Sequence, residues 1–406
     1  MASARDFISG PWRAVVVLGV TEILAWAALF YPPVLTVPLI AADHHWSNAF
    51  AMGGFSLGLL VGGLVSRHVG ALIDRFGGHA VMPCGALIGA AGLVGLVLAP
   101  NSACYLAAWM VLGVAMAASL YDPAFATLGR IFGKNARAPI TALTLAGGFA
   151  STLSWPATQF LIDRAGWRGA YAAYAALLAF VAAPLLAFAL PRHGAAAERR
   201  AEAPLSAAAP AAAAPAQNPD RKLAPRGAAF VLVAAAFSAY AFVPSALSAQ
   251  LLAIFGRFGL APATAVAIGM LFGPAQVLAR IGELWFARTL HPLWTARFAV
   301  GLLVAAFALL ALLPFSALVA AAFALLYGVA NGLMTIARGT VPLALFGAAG
   351  YGRLVGRIGG PFLFVQAMAP LVLTFVAERV SDAAGLALAA AFAAAALVCF
   401  IAIRPD

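Results

Sequence analysis

The sequence predicts an all-α membrane protein of twelve transmembrane helices, arranged as two pseudo-symmetric halves of six. Three observations carry this. Of the 406 residues only 9% are charged and 64% are hydrophobic, with a mean hydropathy of +0.99, whereas an ordinary soluble domain carries about 25% charged residues. The apolar residues run continuously, as from Ala80 to Ala99. Such a run suits a helix crossing about 30 Å of hydrocarbon and differs from the roughly ten-residue alternation of a barrel strand. Near the middle, an Ala-, Pro- and charge-rich stretch at 191–226 interrupts the runs and cannot bury a core.

Charges, Pro and Gly clusters and polar turns bound the individual spans. They fall at 14–40, 49–69, 80–99, 104–128, 138–161 and 169–190, then at 227–254, 263–286, 296–313, 316–345, 354–377 and 383–403. The chain therefore divides into a first half at 1–190, a cytoplasmic linker at 191–226 that carries Glu198, Arg199, Arg200, Arg221 and Lys222, and a second half at 227–406. The halves echo each other, as duplicated transporters do. Leu112-Gly113-Val114-Ala115 in span 4 parallels Tyr327-Gly328-Val329-Ala330 in span 10, and Phe132-Gly133 parallels Phe346-Gly347.

The formal net charge of +11 is spread between the apolar runs rather than gathered in one patch, so it reads as a topology signal and not as a nucleic-acid surface. With the N-terminus inside, one set of connections holds eighteen Lys and Arg, and the other holds Arg164, Arg168, Arg257 and Arg379. That asymmetry predicts a multi-pass protein of the bacterial inner membrane with both termini cytoplasmic. Met1 to Trp12 lacks the apolar core and cleavage site of a signal peptide.

Cys84, Cys104 and Cys399 lie in or beside apolar runs without metal-type spacing and are expected to be packed thiols. His44 and His45 have no third ligand nearby and read as a solvated turn. No metal and no cofactor is expected. No nucleotide-binding loop is present, which argues against an ATP-driven pump. Gly54-Phe55-Ser56-Leu57-Gly58 matches a hydrolase nucleophile pattern, but it lies inside a membrane span where the required strand-turn-helix elbow cannot form.

Span 2 places Gly54, Gly58, Gly62, Ser66 and Gly70 at four-residue intervals, a stripe that lets a neighbouring helix approach closely. Directly after it comes Gly70-Ala71-Leu72-Ile73-Asp74-Arg75-Phe76-Gly77. This motif, together with the six-linker-six layout, resembles the major facilitator superfamily over the whole chain. The resemblance implies a gating role for Gly70, Asp74, Arg75 and Gly77, with Asp74 holding the halves together at the cytoplasmic side. Where the family usually has a basic pair, this chain has Gly78 and His79. Arg130 to Arg137, Ala146-Gly147-Gly148 and Asp163-Arg164-Ala165-Gly166-Trp167-Arg168 look similar to the monocarboxylate-porter-like branch, whose span 8 arginine falls on Arg280. The acid one turn earlier is Gln276 here, and the span 1 lysine position is Pro33.

Five ionisable residues fall well inside spans: Glu22, Asp122, Arg280, Glu283 and Arg338. An unpaired charge at the bilayer centre costs about 2.5–3.5 kcal/mol, so such groups face a bundle interior and find partners. Arg280 and Glu283, three residues apart, either neutralise each other or belong to a site. Asp122 in span 4 and Arg338 in span 10 occupy corresponding places and would pair across the cavity. Glu22 either bonds to a neighbouring helix or carries a proton. Tyr121, Gln276 and Asn331, with Tyr31 and Tyr240, add polar candidates.

The leading expectation is a monomeric, proton-coupled transporter of a small organic solute in the lipid bilayer. An organic anion is slightly preferred because Arg280 and Arg338 can bind a carboxylate. A drug, cation or metalloid exporter is the alternative, favoured by three embedded acids; a non-transporting receptor or scaffold is the alternative of another class.

Overall fold

The computed structural model describes residues 10–192, 227–287 and 290–404. Residues 193–226, nearly all of the expected linker, lie outside the described residues. Among the described residues the chain is helical throughout, with no strand. Eleven stretches are long and apolar enough to cross a membrane. One of them, Arg137–Ala189, is 53 residues long, or roughly 80 Å as a continuous helix, more than twice the hydrocarbon thickness. Gly166 breaks it with φ 66° and ψ −179°, at the turn expected between spans 5 and 6, and the count becomes twelve.

Among the described residues, four spans expected to be continuous are each built from more than one helix. Span 5 has Arg137–Gly147 and a helix that starts at Ala150, and span 8 has Pro262–Gly269 and Phe272–Gly282. Spans 1 and 4 show the clearest causes. Span 1 consists of Arg13–Leu29 and Pro33–Asp43. Pro32 and Pro33 supply no N–H to the ladder, which is why the first helix ends just before them. Span 4 consists of Ser102–Ser119 and Tyr121–Phe132, with Leu120 extended between them at φ −92° and ψ −162°. Pro123 cannot donate to the Ser119 carbonyl, and the break at Leu120 starts a second helix with Asp122 in its first turn. Spans 4 and 10 both end on glycines with positive φ, Gly133 at 57° and Gly347 at 80°.

In the first half, span 1 packs on spans 5 and 6, and span 4 on spans 2 and 3; in the second, span 7 packs on spans 11 and 12, and span 9 on spans 10 and 12. The halves meet along span 2 and span 11. Gly54 and Gly58 abut the Tyr105 and Trp109 side of span 4, while Gly63, Ser66 and Gly70 lie against Gly360, Gly356 and Gly352 of span 11. The glycine stripe thus serves two helices, one in each half, rather than a single neighbour.

The three cysteines are corrected by the fold. Cys84 and Cys104 are exposed and Cys399 is half-buried; Cys104 lies in the first turn of its helix, where the neighbouring residues are exposed too. In the turn after span 1, His44 stacks on Trp46 with ring centroids 4.5 Å apart, and His45 is exposed with φ 57°.

Candidate functional site

One end of the seam is held by Asp74. Its Oδ1 accepts from the Gly352 N–H and its Oδ2 from the Arg353 N–H, both at 2.8 Å. Those are the first free donors of the span 11 helix, Tyr351–Arg379, where the helix dipole favours an anion. Gly70 and Gly352 touch backbone to backbone beside it, leaving no room for a Cβ. Arg130 reaches the Ile73 and Asp74 carbonyls. Gly77, with φ 84°, closes span 2, and Arg75 is exposed over the Phe76 ring at 4.9 Å.

Deeper in the bundle Arg338 donates to Asp122 Oδ2 at 2.6 Å, joining span 10 to span 4. The two side chains are only 16% and 12% exposed, so the pair is largely desolvated. The guanidinium also lies 3.7 Å over the Phe362 ring, a cation–π contact that strengthens away from water. Asp122 Oδ1 has no partner. A small void lined by Ser66, Gly70, Asp122, Gly352 and Gly356 separates this pair from the Asp74 end.

Arg280 and Glu283 do not neutralise each other. Glu283 opens a π turn, Glu283–Ala287, whose wider winding changes the helix face presented there. Its Oε1 takes Arg137 of span 5 at 2.7 Å and its Oε2 takes the Thr141 hydroxyl at 3.1 Å. Arg137 also donates to the Leu290 carbonyl, so this is a second tie between the halves. Arg280, 4% exposed, meets only neutral acceptors among the described residues. Its Nη1 donates to the Thr144 carbonyl at 2.8 Å; its Nη2 reaches Gln276 Oε1 and Thr335 Oγ1 at 3.4 Å each; its Nε has no partner. The guanidinium lies in the slot left by Gly148, and the Tyr121 hydroxyl in the slot left by Gly147. Adjacent glycines of span 5 therefore hold Arg280 of the second half and Tyr121 of the first.

Glu22 is fully buried. Its Oε2 accepts from Trp26 Nε1 at 2.9 Å and its Oε1 has no partner. The bond is one turn along its own helix, not to the neighbouring helix expected for a structural role, because Trp26 packs between it and Tyr121 at a centroid distance of 5.0 Å. Asn331 Oδ1 accepts from the Tyr240 hydroxyl, and the Asn331 carbonyl accepts from Thr335 at 2.8 Å. The structure thus gathers Tyr121, Gln276 and Arg280 in one cluster, with Asn331 linked to it through Thr335.

Sequence reasoning missed Arg137, counted as a topology charge in the loop after span 4, and gave no site role to Trp26 or Trp155. The one available signal for Arg137 was its place at the start of a helix after a basic loop. At the opposite end of the bundle two exposed pairs, Asp43 with Arg168 and Arg257 with Asp382, each stay within one half.

Two six-helix halves meeting at a seam, with charged groups from both halves pointing into it, define a membrane transporter. The chain belongs to the Major Facilitator Superfamily, whose sequence profile matches residues 16–360, and it is therefore a transporter rather than an enzyme. No curated protein sequence matches it. Three solved structures share the fold over nearly their full lengths. The human organic anion transporter MFSD10 (TETRAN) is 18% identical, with a TM-score of 0.70 over 98% of this chain and 99% of that one. The proton:xylose symporter XylE, bound to 6-bromo-6-deoxy-D-glucose, is 11% identical, with a TM-score of 0.67 over 97% of each chain. FucP in the outward conformation is 11% identical, with a TM-score of 0.69 over 95% of this chain and 97% of that one.

Proposed function

We propose that the protein is a proton-coupled secondary transporter of a small organic anion, seated in the inner membrane with both termini cytoplasmic. The observation that carries the reading is Arg280. Among the described residues it is a buried cation facing neutral acceptors, with its Nε unpartnered, and a carboxylate would supply the missing charge and a charge-assisted acceptor. The acids do not offer a matching cation site. Asp122 is held by Arg338, Glu283 by Arg137, and Glu22 is enclosed behind Trp26. An organic anion is also what the human relative by fold carries, according to its name.

In this reading the Asp74 and Arg137 ties close the cytoplasmic side, and the site opens to the opposite face, where the ion pairs leave the halves separate. A proton on Asp122 would release Arg338 from its partner and let the seam re-form in the other conformation. A proton on Glu22 would be felt at Trp26. Uptake into proteoliposomes, with and without an inward proton gradient, tests the proposal on a panel of carboxylates and cationic drugs. Carboxylate uptake driven by the gradient is expected. Gradient-driven movement of the cations, with no carboxylate transported, would replace this reading by the exporter.

A further inference from the structure

Resting on the anion reading, we infer that the carried anion is an aromatic or planar conjugated carboxylate, its charge on Arg280 and its ring against an aromatic wall supplied by the first half. The two halves bring different chemistry to the same place. Arg280, Gln276 and Thr335 of the second half are polar. Facing them, the first half presents a run of rings: Tyr121 beside Trp26 at 5.0 Å, Trp26 beside Tyr31 at 5.9 Å, and Tyr31 edge-on to Trp155 at 6.2 Å. Tyr121 shares the adjacent-glycine step with Arg280, so the run begins at the guanidinium.

Trp155 shows that the run continues into open space. Span 5 turns Gly148 towards Arg280, and helical periodicity puts Thr152, Trp155 and Gln159 on that same face. All three are exposed, Trp155 to 47%. The exposed Phe149, Leu153 and Phe160 lie on a different face of the same segment. The indole of Trp155 therefore meets Tyr31 edge-on and keeps nearly half of its surface open, on the side of span 5 whose Gly148 meets Arg280. A flat ring held by its carboxylate at Arg280 would take up the uncovered side. An aliphatic acid of equal size fills the same volume, but it lacks the ring quadrupole that makes offset and edge-to-face contacts favourable.

The test is equilibrium binding of benzoate and of cyclohexanecarboxylate to the purified full-length protein. The two match in carbon number and charge and differ in planarity. Benzoate should bind about two- to tenfold more tightly, the gain of one aromatic contact. Trp155→Phe should keep that ratio, and Trp155→Leu should bring it close to one. Equal affinities in the unaltered protein, or a ratio untouched by Trp155→Leu, would overturn the inference. If both acids bind equally and Arg280→Gln weakens both, the aromatic inference alone falls and the anion reading stands. If neither acid binds, both fall.

Discussion

Arg338 and Arg280 sit on packed neighbours, spans 10 and 8, yet their surroundings are opposite. Arg338 has a carboxylate from the other half at 2.6 Å and an aromatic ring beneath it. Arg280 is more deeply buried and has neither. A buried charge must be compensated, and the protein compensates one of these two internally. What the difference teaches is a division of labour: Arg338 belongs to the machinery that joins the halves, and Arg280 is left for a charge that arrives from outside.

The largest expected effect lies on the compensated side. Asp122→Asn strands Arg338 without its partner and should lower stability by about 3–5 kcal/mol, with most of that recovered when Arg338→Gln is added. Denaturation in detergent of the two single variants and the double variant reads this. Additive losses would mean the pair is not coupled and would break the contrast. Next comes Asp74→Ala, which removes two charge-assisted bonds to the span 11 N-terminus, worth about 2 kcal/mol of preference for the closed seam. A cysteine introduced at Val69, with the three native cysteines replaced, should then label faster; an unchanged rate would dissociate Asp74 from closure.

Gly148→Ala sharpens the other side of the contrast. The added methyl collides with the Arg280 guanidinium and should weaken carboxylate binding by about 1–2 kcal/mol while sparing the Asp122–Arg338 pair. Unaltered binding would show that the slot does not position Arg280.

The smallest effect is a pH response near the Arg137 tie. His291 Nδ1 accepts from the Leu293 N–H and caps span 9. Burial, helped by the positive charge of Arg137 and Arg297, holds its pKa below the ordinary 6.5. The folded protein therefore binds this proton less readily than the unfolded chain. The cap's contribution is present above about pH 6.5 and fades as pH falls through the depressed value. The melting temperature should drop further between about pH 8 and pH 5 in the unaltered protein than in His291→Asn, which keeps a capping acceptor without titrating. Parallel curves would exclude His291.

Much of this architecture is legible in the sequence because a bilayer leaves few alternatives. Run length alone sets the spans, and Gly166 in its turn marks where spans 5 and 6 part. The breaks at Pro32 and Leu120 were less visible, since Pro123 acts on a carbonyl one turn earlier and apolar composition continues across both. Asp74 was legible through its motif, and Asp122 and Arg338 through their similar places in the two halves. The Arg280 and Glu283 environments were not. Spacing along one helix suggested a local pair, but a π turn and an arginine 146 residues away in sequence gave Glu283 to span 5. The use of Gly147 and Gly148 as slots is likewise a property of two packed surfaces and is absent from either segment alone.

The central claim is that Arg280, and not Arg338, receives the substrate's charge. The most direct test is the equilibrium affinity of a transported carboxylate for the unaltered protein, for Arg280→Gln, and for the Asp122→Asn/Arg338→Gln double variant, which removes the other arginine together with its partner. The account predicts a loss of roughly 1.5–3 kcal/mol for Arg280→Gln, the range for hydrogen bonds to a charged group, and near-native affinity in the double variant. Native affinity in Arg280→Gln with a loss of that size in the double variant would contradict it and place the substrate on Arg338.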